Sequence, residues 1–368
     1  MVTRREFLVS TSATIGGLAT MSSCSPETIA DSYENAVSNT WHHSEVSAGD
    51  KPALLRELVR YATLAPSSHN TQCWKFHLED RSISILPDLS RRCPAVDPDD
   101  HHLFVSIGCA TENLVQAALA NGLNGNVAFD DSARKALRVL LEPTKAVATS
   151  LFNAIPERQS TRAAYDGKPI STSELALLER AGCGNGVLII LLTERRAMES
   201  VLEYVVQGNT VQMNDQAFVE ELKAWIRFSS GDAVRTGDGL YAASSGNPSL
   251  PSGLGSLLFG LFFTPKSEND KYARHVRSSA GIAVFVSEAE NPDQWIEVGR
   301  CYERFALQSA ALGIRNAMLN QPVEVSALRP QFATFLGVGG RRPDLVVRFG
   351  RGPKLPPSLR RPVDAVLT

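Results

Sequence analysis

An excess of either charge is missing from this sequence: 37 lysines and arginines stand against 39 aspartates and glutamates, a net charge of −2. Nucleic-acid binding needs a basic surface that neutralises phosphates, so this balance argues against that class. No run of about 18 apolar residues occurs, so no integral membrane helix is expected and the fold reads as soluble. The longest apolar candidate, residues 254–263, is about half that length. Cysteine is scarce, six in 368 residues, and no C-x-x-C pair is present. Neither a zinc site nor a disulfide framework is supported by those spacings. With Cys24 set aside, Cys73, Cys93, Cys109, Cys183 and Cys301 read as buried free thiols. The pairs His42-His43 and His101-His102 place neighbouring side chains in different directions, which favours solvated histidines over a metal site. The G-x-S-x-G elbow, the G-x-x-x-x-G-K-[ST] loop and the H-E-x-x-H helix are all absent. The glycines of segment 337–340 precede a strand, and a phosphate cradle should precede a helix, so they read as a turn.

What is present fits an ordinary globular protein: 43 % hydrophobic and 21 % charged residues. The length exceeds one usual domain of ~100–200 residues, so two core-forming units are expected. Residues 1–24 are a separate matter. Arg4-Arg5 precede a weakly apolar stretch, residues 9–21, and the pattern resembles a twin-arginine signal for export of folded proteins. Cys24 after Met21-Ser22-Ser23 is a candidate lipid-attachment site and membrane tether. The expected location is therefore the periplasm or the cell envelope, and export in the folded state permits a cofactor loaded beforehand. Residues 25–50, polar and serine-rich, read as a linker.

Helical spacing begins near Pro52, with Leu55, Leu58, Val59 and Ala62 on one face. Residues 83–86 read as a strand, and a long helix is expected from Asp99-Asp100 to Gly122. In a second unit, Ser171 and Glu174 form a capping-box pattern and residues 187–192 form a strand. Helices cover much of 196–227. Residues 282–286 and 345–349 are further strands, and a helix runs from Asn291-Pro292 to Gly313. These elements give an α+β reading in two lobes, 51–147 and 148–368.

Two segments carry chemistry. Ala65-Pro66-Ser67-Ser68-His69-Asn70-Thr71-Gln72-Cys73-Trp74 ends the first helix in a loop rich in short hydrogen-bonding groups. Arg158-Gln159-Ser160-Thr161-Arg162 sets two arginines around two hydroxyls, a pattern suited to gripping a phosphate. Together they resemble the nitroreductase family of FMN flavoproteins, in particular its fused Acg-type subgroup. Residues 66–74 are similar to the family's P-S-x-x-N-x-Q-P-W signature, and residues 158–162 to its R-x-S-x-[KR] motif. Segments 319–325, 347–350 and 360–362 also match the subgroup. Cys73 departs from the signature's proline, and Ala164 stands where an aromatic is usual, with Tyr165 next.

The resemblance implies a nitroreductase-like fold whose two fused lobes form a monomeric pseudo-dimer with one FMN. It implies that Arg158, Arg162 and Arg360 hold the phosphate and nearby ring atoms, with Ser160 and Thr161 hydrogen-bonding. Pro66, Ser67, Ser68 and Asn70 would line the flavin ring. The implied function is an FMN-dependent oxidoreductase working by ping-pong transfer through the flavin, with a small-molecule acceptor and an unnamed donor. The alternative is an exported FMN-sequestering protein without turnover. Residues 246–263, punctuated by glycine and proline yet apolar, are expected to form an irregular lid or a tucked loop.

Overall fold

The computed structural model describes residues 26–44, 49–130 and 136–368. The arginine pair and Cys24 lie outside the described residues. Helix α1 (Pro26–Thr40) is followed by α2 (Lys51–Thr63), strands β1 (Trp74–Glu79) and β2 (Ser82–Pro87), and the long α3 (His101–Ala120). Strands β3 (Leu123–Asp130) and β4 (Ala136–Pro143) complete an antiparallel sheet of order β1-β2-β4-β3. After the short α4 (Ser150–Ala154), α5 (Thr172–Gly182) opens the second half through the capping box of Ser171 and Glu174. Strand β5 (Val187–Leu192) then leads into α6 (Arg195–Met213) and α7 (Gln216–Trp225). The two-residue strands β6 (Ile226–Arg227) and β7 (Leu240–Tyr241) flank α8 (Ser230–Thr236), and α9 (Ser252–Phe262) and α10 (Pro265–Arg277) come after them. Strand β8 (Gly281–Ser287), the long α11 (Pro292–Ala311) and β9 (Arg315–Met318) come next. The short α12 (Gln321–Glu324) and α13 (Arg329–Leu336) precede β10 (Arg342–Gly350), closing a second antiparallel sheet of order β5-β8-β10-β9.

The fold is α+β, and its halves repeat one plan. Each has a helix, two strands, a long helix and two more strands, with spatial order first, second, fourth, third. The long helices α3 and α11 have 20 residues each and pack against one another. Their contact is reciprocal. A Cβ on Gly108 would lie 2.0 Å from the Ile296 carbonyl oxygen, and one on Gly299 2.0 Å from that of Val105. Each glycine is the eighth residue of its helix, so the crossing is related to itself by an approximate two-fold, as an isologous interface is. The main apolar core spans both sheets and both long helices. A second cluster lies beneath the other face of β8 and β10, against α6. Sandwiched so, β8 and β10 are buried along their whole length; β8 reads as a continuous apolar run, while β10 also buries Arg342, Asp344 and Arg348.

Four expectations need correction. The longest apolar segment is α3, not residues 254–263; by length and composition it could cross a membrane, yet most of it is buried as a core helix. Residues 26–40 are helical rather than part of a linker. Tyr33, Ala36, Val37 and Trp41 fall on one face, and the Trp41 indole donates to the Ser358 carbonyl at 2.9 Å, while the Tyr33 ring packs 5.1 Å from Tyr241. Residues 252–262 form a regular helix despite their glycines, because Gly255 seats against the Phe228 ring and Phe259 stacks on Phe263 at 4.3 Å. Cys183 is exposed, unlike the four other described cysteines.

The crossing makes a prediction of unusual sign. Gly→Ala inside a helix normally gains up to ~1 kcal/mol. Gly108→Ala and Gly299→Ala should instead destabilise by about 2 kcal/mol or more, because backbone blocks the new methyl group. Urea unfolding of each variant is the measurement; an unchanged or raised midpoint would refute the close crossing.

Candidate functional site

Two cavities meet at one throat. The larger, about 500 Å³, reaches from α3 to α9; the smaller, about 240 Å³, lies toward the chain's C-terminal segment. Pro66, Ser67, Ser160, Arg162 and Leu240 line both. Ser68 lines the larger only, and Asn70, Arg158 and Arg360 the smaller only. Thr161 lines neither: it is buried, its hydroxyl donates to Gln159 Oε1 at 3.2 Å, and its amide donates to the Asn316 carbonyl at 2.8 Å. Through that amide, residues 158–162 run along the edge of β9. One wall of the throat thus comes from each half of the chain.

The loop after α2 holds a rare backbone conformation. His69, Asn70 and Gln72 all have positive φ, 49°, 54° and 54°, a region that costs a non-glycine residue of order 1 kcal/mol or more. Buried amides hold the loop there. Asn70 Nδ2 donates to the carbonyls of Gly239 and Leu359 at 3.0 and 3.2 Å, and its Oδ1 accepts from Arg360 at 3.0 Å. Gln72 Nε2 donates to the Gly237 carbonyl at 2.8 Å, and its Oε1 accepts the Arg361 amide at 2.9 Å. Ser67 Oγ accepts the Gln72 amide at 2.9 Å. The side-chain amide of Asn70 is therefore spent on shaping the loop.

The three arginines differ in the same respect. Arg360 donates to the carbonyls of Thr63, Leu64 and Ala65 at 2.6, 3.0 and 3.1 Å, satisfying the C-terminal end of α2. Arg158 donates to the Leu64 carbonyl at 3.0 Å and lies 3.3 Å from the buried Glu303 carboxylate. Arg162 is different. Its guanidinium donates no hydrogen bond and forms no ion pair among the described residues, although burial pulls its pKa down. Arg315, which the sequence did not single out, lines the smaller cavity and has a buried Nε without a hydrogen-bond partner.

The larger cavity has a polar wall of His102, Gln212, Asn320 and Glu324; the last two belong to the 319–325 segment, while nothing in the sequence singled out Gln212. The histidine pair at 101–102 is buried rather than solvated. His101 Nε2 is 2.9 Å from Asp344, and the two imidazoles lie 4.6 Å apart. Asp97 accepts the backbone amides of His102 and Leu103 at 3.0 and 2.9 Å, taking the capping role at the start of α3. Burial opposes its ionisation, but the His102 ring beside it prevails and holds the carboxyl at about 2. His102 in turn is raised against the effect of its burial by Asp97. Its Nε2 faces Asn320 Nδ2 at 3.4 Å, and Asn320 is oriented by accepting the Val346 amide at 3.0 Å. Tyr165 lies outside both linings, with its ring against Arg348 and its hydroxyl donating to the Thr161 carbonyl at 3.0 Å.

No family model matches the chain. Two Mycobacterium tuberculosis proteins, provisionally named NAD(P)H nitroreductases, are similar to it. One is 26 % identical over 330 residues, covering 85 % of this chain and 90 % of the relative. The other, acg, is 21 % identical over 324 residues, covering 85 % and 95 %. Among solved structures, a Bacteroides fragilis nitroreductase with bound FMN aligns with 56 % of this chain and 89 % of its own, at 14 % identity and a TM-score of 0.34. An iodotyrosine deiodinase bound to FMN and 3-iodo-L-tyrosine aligns with 57 % and 94 %, at 10 % identity and a TM-score of 0.37.

The site generates a pH prediction. His69 lines the larger cavity, and its buried Nε2 has no hydrogen-bond partner. Burial, with Arg162 nearby, lowers its pKa from the ordinary 6.5 to about 4. The unfolded chain thus takes up a proton that the folded chain refuses, so stability present above 6.5 is lost as the pH falls toward 4. At pH 5 the loss is about 2 kcal/mol from this group alone. His69→Asn keeps a residue that tolerates positive φ and should flatten the decline between pH 7 and pH 5 in urea unfolding. An equal decline in both proteins would show that His69 is not the group responsible.

Proposed function

We propose that the chain is an FMN-dependent oxidoreductase of the nitroreductase type. The observation that carries this reading is Arg162, a cation without a partner among the described residues at the throat between two cavities. Its half-buried guanidinium faces the space shared by both cavities, so an anion is the expected occupant. The smaller cavity suits a phosphate: Arg158, Arg315, Lys354 and Arg360 line it, and Arg315 Nε is an orphan donor. The larger cavity suits a planar, largely apolar ring, with Pro66, Ser67 and Ser68 on one side. Arg162 and Ser160 would hold the group where the cavities join.

When bound, FMN accepts two electrons from one substrate and passes them to another in alternating half-reactions. The residues of the chain have other tasks. Arg162 supplies fixed positive charge that favours an anion beside it. The loop after α2 presents backbone and hydroxyls in a shape locked by Asn70 and Gln72. His102, held by Asp97, offers a titratable nitrogen to the larger cavity. The similarity to proteins named NAD(P)H nitroreductases supports the reaction class. The paired arginines near the N-terminus support export in the folded state, with the flavin already in place. Both walls of the throat come from one chain, which supports a monomeric pseudo-dimer with one FMN.

Titration of the apo-chain with FMN, followed by flavin fluorescence, tests the assignment. One FMN per chain is expected. Arg162→Ala should weaken binding about tenfold or more, the loss of charge-assisted bonds worth ~1.5–3 kcal/mol. Arg162 is the sharper test because Arg158→Ala would also strand Glu303, a buried carboxyl already pushed up to about 7 by burial against the pull of Arg158. Unchanged affinity in Arg162→Ala would overturn the site. Absence of turnover with every donor and acceptor, with FMN bound, would favour the sequestering protein.

A further inference from the structure

Between Asp238 and Lys266 the chain carries no charged residue. Helix α9 lies in this stretch and is apolar on two faces. Gly255, Leu258 and Phe259 line the larger cavity. On the other side Leu254, Leu257 and Leu261, spaced three and four residues apart, are 46, 61 and 62 % exposed. Phe262 belongs to both faces: it lines the cavity and is 69 % exposed, which puts it at the cavity's mouth. A helix apolar all round belongs in a core or in lipid, and a contiguous apolar patch is rare on a surface that faces only water.

The start of the described chain indicates which surroundings apply. Helix α1 packs Tyr33, Ala36 and Val37 into a small apolar cluster that includes Ala233 of α8. The first residue of α9, Ser252, donates its hydroxyl to Asp232 of the same α8. One short helix therefore holds both α9 and the segment into which the candidate attachment residue, Cys24, leads two residues ahead of Pro26. A lipid on Cys24 would bring α8 and α9 to a bilayer together. At 11 residues and ~1.5 Å per residue, α9 is too short to span a bilayer but suited to lie in its surface.

We propose that α9 lies in the bilayer surface and admits a membrane-soluble quinol to the larger cavity as electron donor. This rests on the FMN oxidoreductase reading. The quinol would lose two electrons and two protons and become a quinone. The bound FMN would take both electrons and one proton, and the second proton would leave through the polar wall of His102 and Glu324 to water.

The test uses the full chain with Cys24→Ser, so that acylation cannot mask the helix, loaded with FMN. Its partner carries Leu257→Glu and Leu261→Glu in addition, neither residue lining a cavity. With neutral phosphatidylcholine vesicles, flotation should fall at least tenfold in the partner. Flavin bleaching by a long-chain quinol embedded in the vesicles should slow at least tenfold, while a short-chain water-soluble quinol bleaches both proteins at equal rates. Equal flotation or equal bleaching by the embedded quinol would overturn the proposal. So would a stable dimer abolished by the glutamates, since a second copy would then cover α9. FMN bound but reduced only by NADPH or NADH would remove this inference and leave the oxidoreductase reading standing. A chain that takes up no FMN would remove both.

Discussion

The crossing of α3 and α11 is the constraint on which the rest depends. Gly108 and Gly299 let two 20-residue helices approach until backbone meets backbone. That contact leaves little freedom in the angle between the sheets, because each long helix packs on the sheet of its own half within one shared core. The loop after α2 and the 158–162 segment belong to different halves. They meet at a throat only because the helices fix both halves in one relation. A cavity built between two packed units of one chain is a common position for a ligand, and here its walls are as rigid as the crossing.

The symmetry set by the crossing is broken at the site, and the way it breaks bears on stoichiometry. Glu112 and Glu303 are each the twelfth residue of their long helix. Glu303 faces Arg158, which donates to the end of α2. Glu112 faces Arg300 and Arg304, and Arg304 donates to the Ala181 and Cys183 carbonyls at the end of α5. The framework around the two helix ends is thus parallel. Beyond the ends the two halves diverge. After α2 comes the strained, serine-bearing loop; after α5 the chain turns tightly, and a Cβ on Gly184 would lie 2.3 Å from Glu297 and 2.5 Å from Cys301. Gly184 lies against the Glu297 and Cys301 side chains, and no loop comparable to 66–72 follows. Duplicated architecture with one open position argues for a single ligand per chain.

Much of this was legible from residue types, and the failures have physical reasons. Helices with side-chain caps declared themselves: Asn291 accepts the Gln294 amide, and Ser171 and Glu174 bond reciprocally. Strands β5 and β8 declared themselves as apolar runs, and β10 through its apolar stretch Leu345–Val347. β3, Leu123–Asp130, was hidden because glycine and asparagine interrupt an alternating pattern that only its pairing with β4 makes visible. α1 was hidden by its serines, although Tyr33, Ala36, Val37 and Trp41 have helical spacing. The segments 66–70 and 158–162 were visible as chemistry, but not the division of labour within them. Asn70 and Arg360 look like ligand-binding residues by type, yet their polar atoms close on backbone carbonyls. The polar wall joins Asn320 and Glu324 of the 319–325 segment to His102 and Gln212 from α3 and α6, so local spacing could reveal only its first half.

That division of labour is what an anion site requires. A guanidinium whose nitrogens all bind carbonyl oxygens has its donors saturated and serves as a strut; Arg360 does this at the end of α2, and Arg158 adds one bond to the Leu64 carbonyl there. Struts of this kind stiffen a site without defining its ligand. Arg162 has the opposite character, since burial works against its charge and no described residue repays that cost. Partial burial makes a well-placed anion a better partner for this guanidinium than for an exposed one, and the same anion would link the two halves across the throat. Ligand binding to the native state alone adds about 2.7 kcal/mol of stability at a hundredfold excess over Kd. An anion held by Arg162 would therefore couple occupancy of the throat to the integrity of the fold.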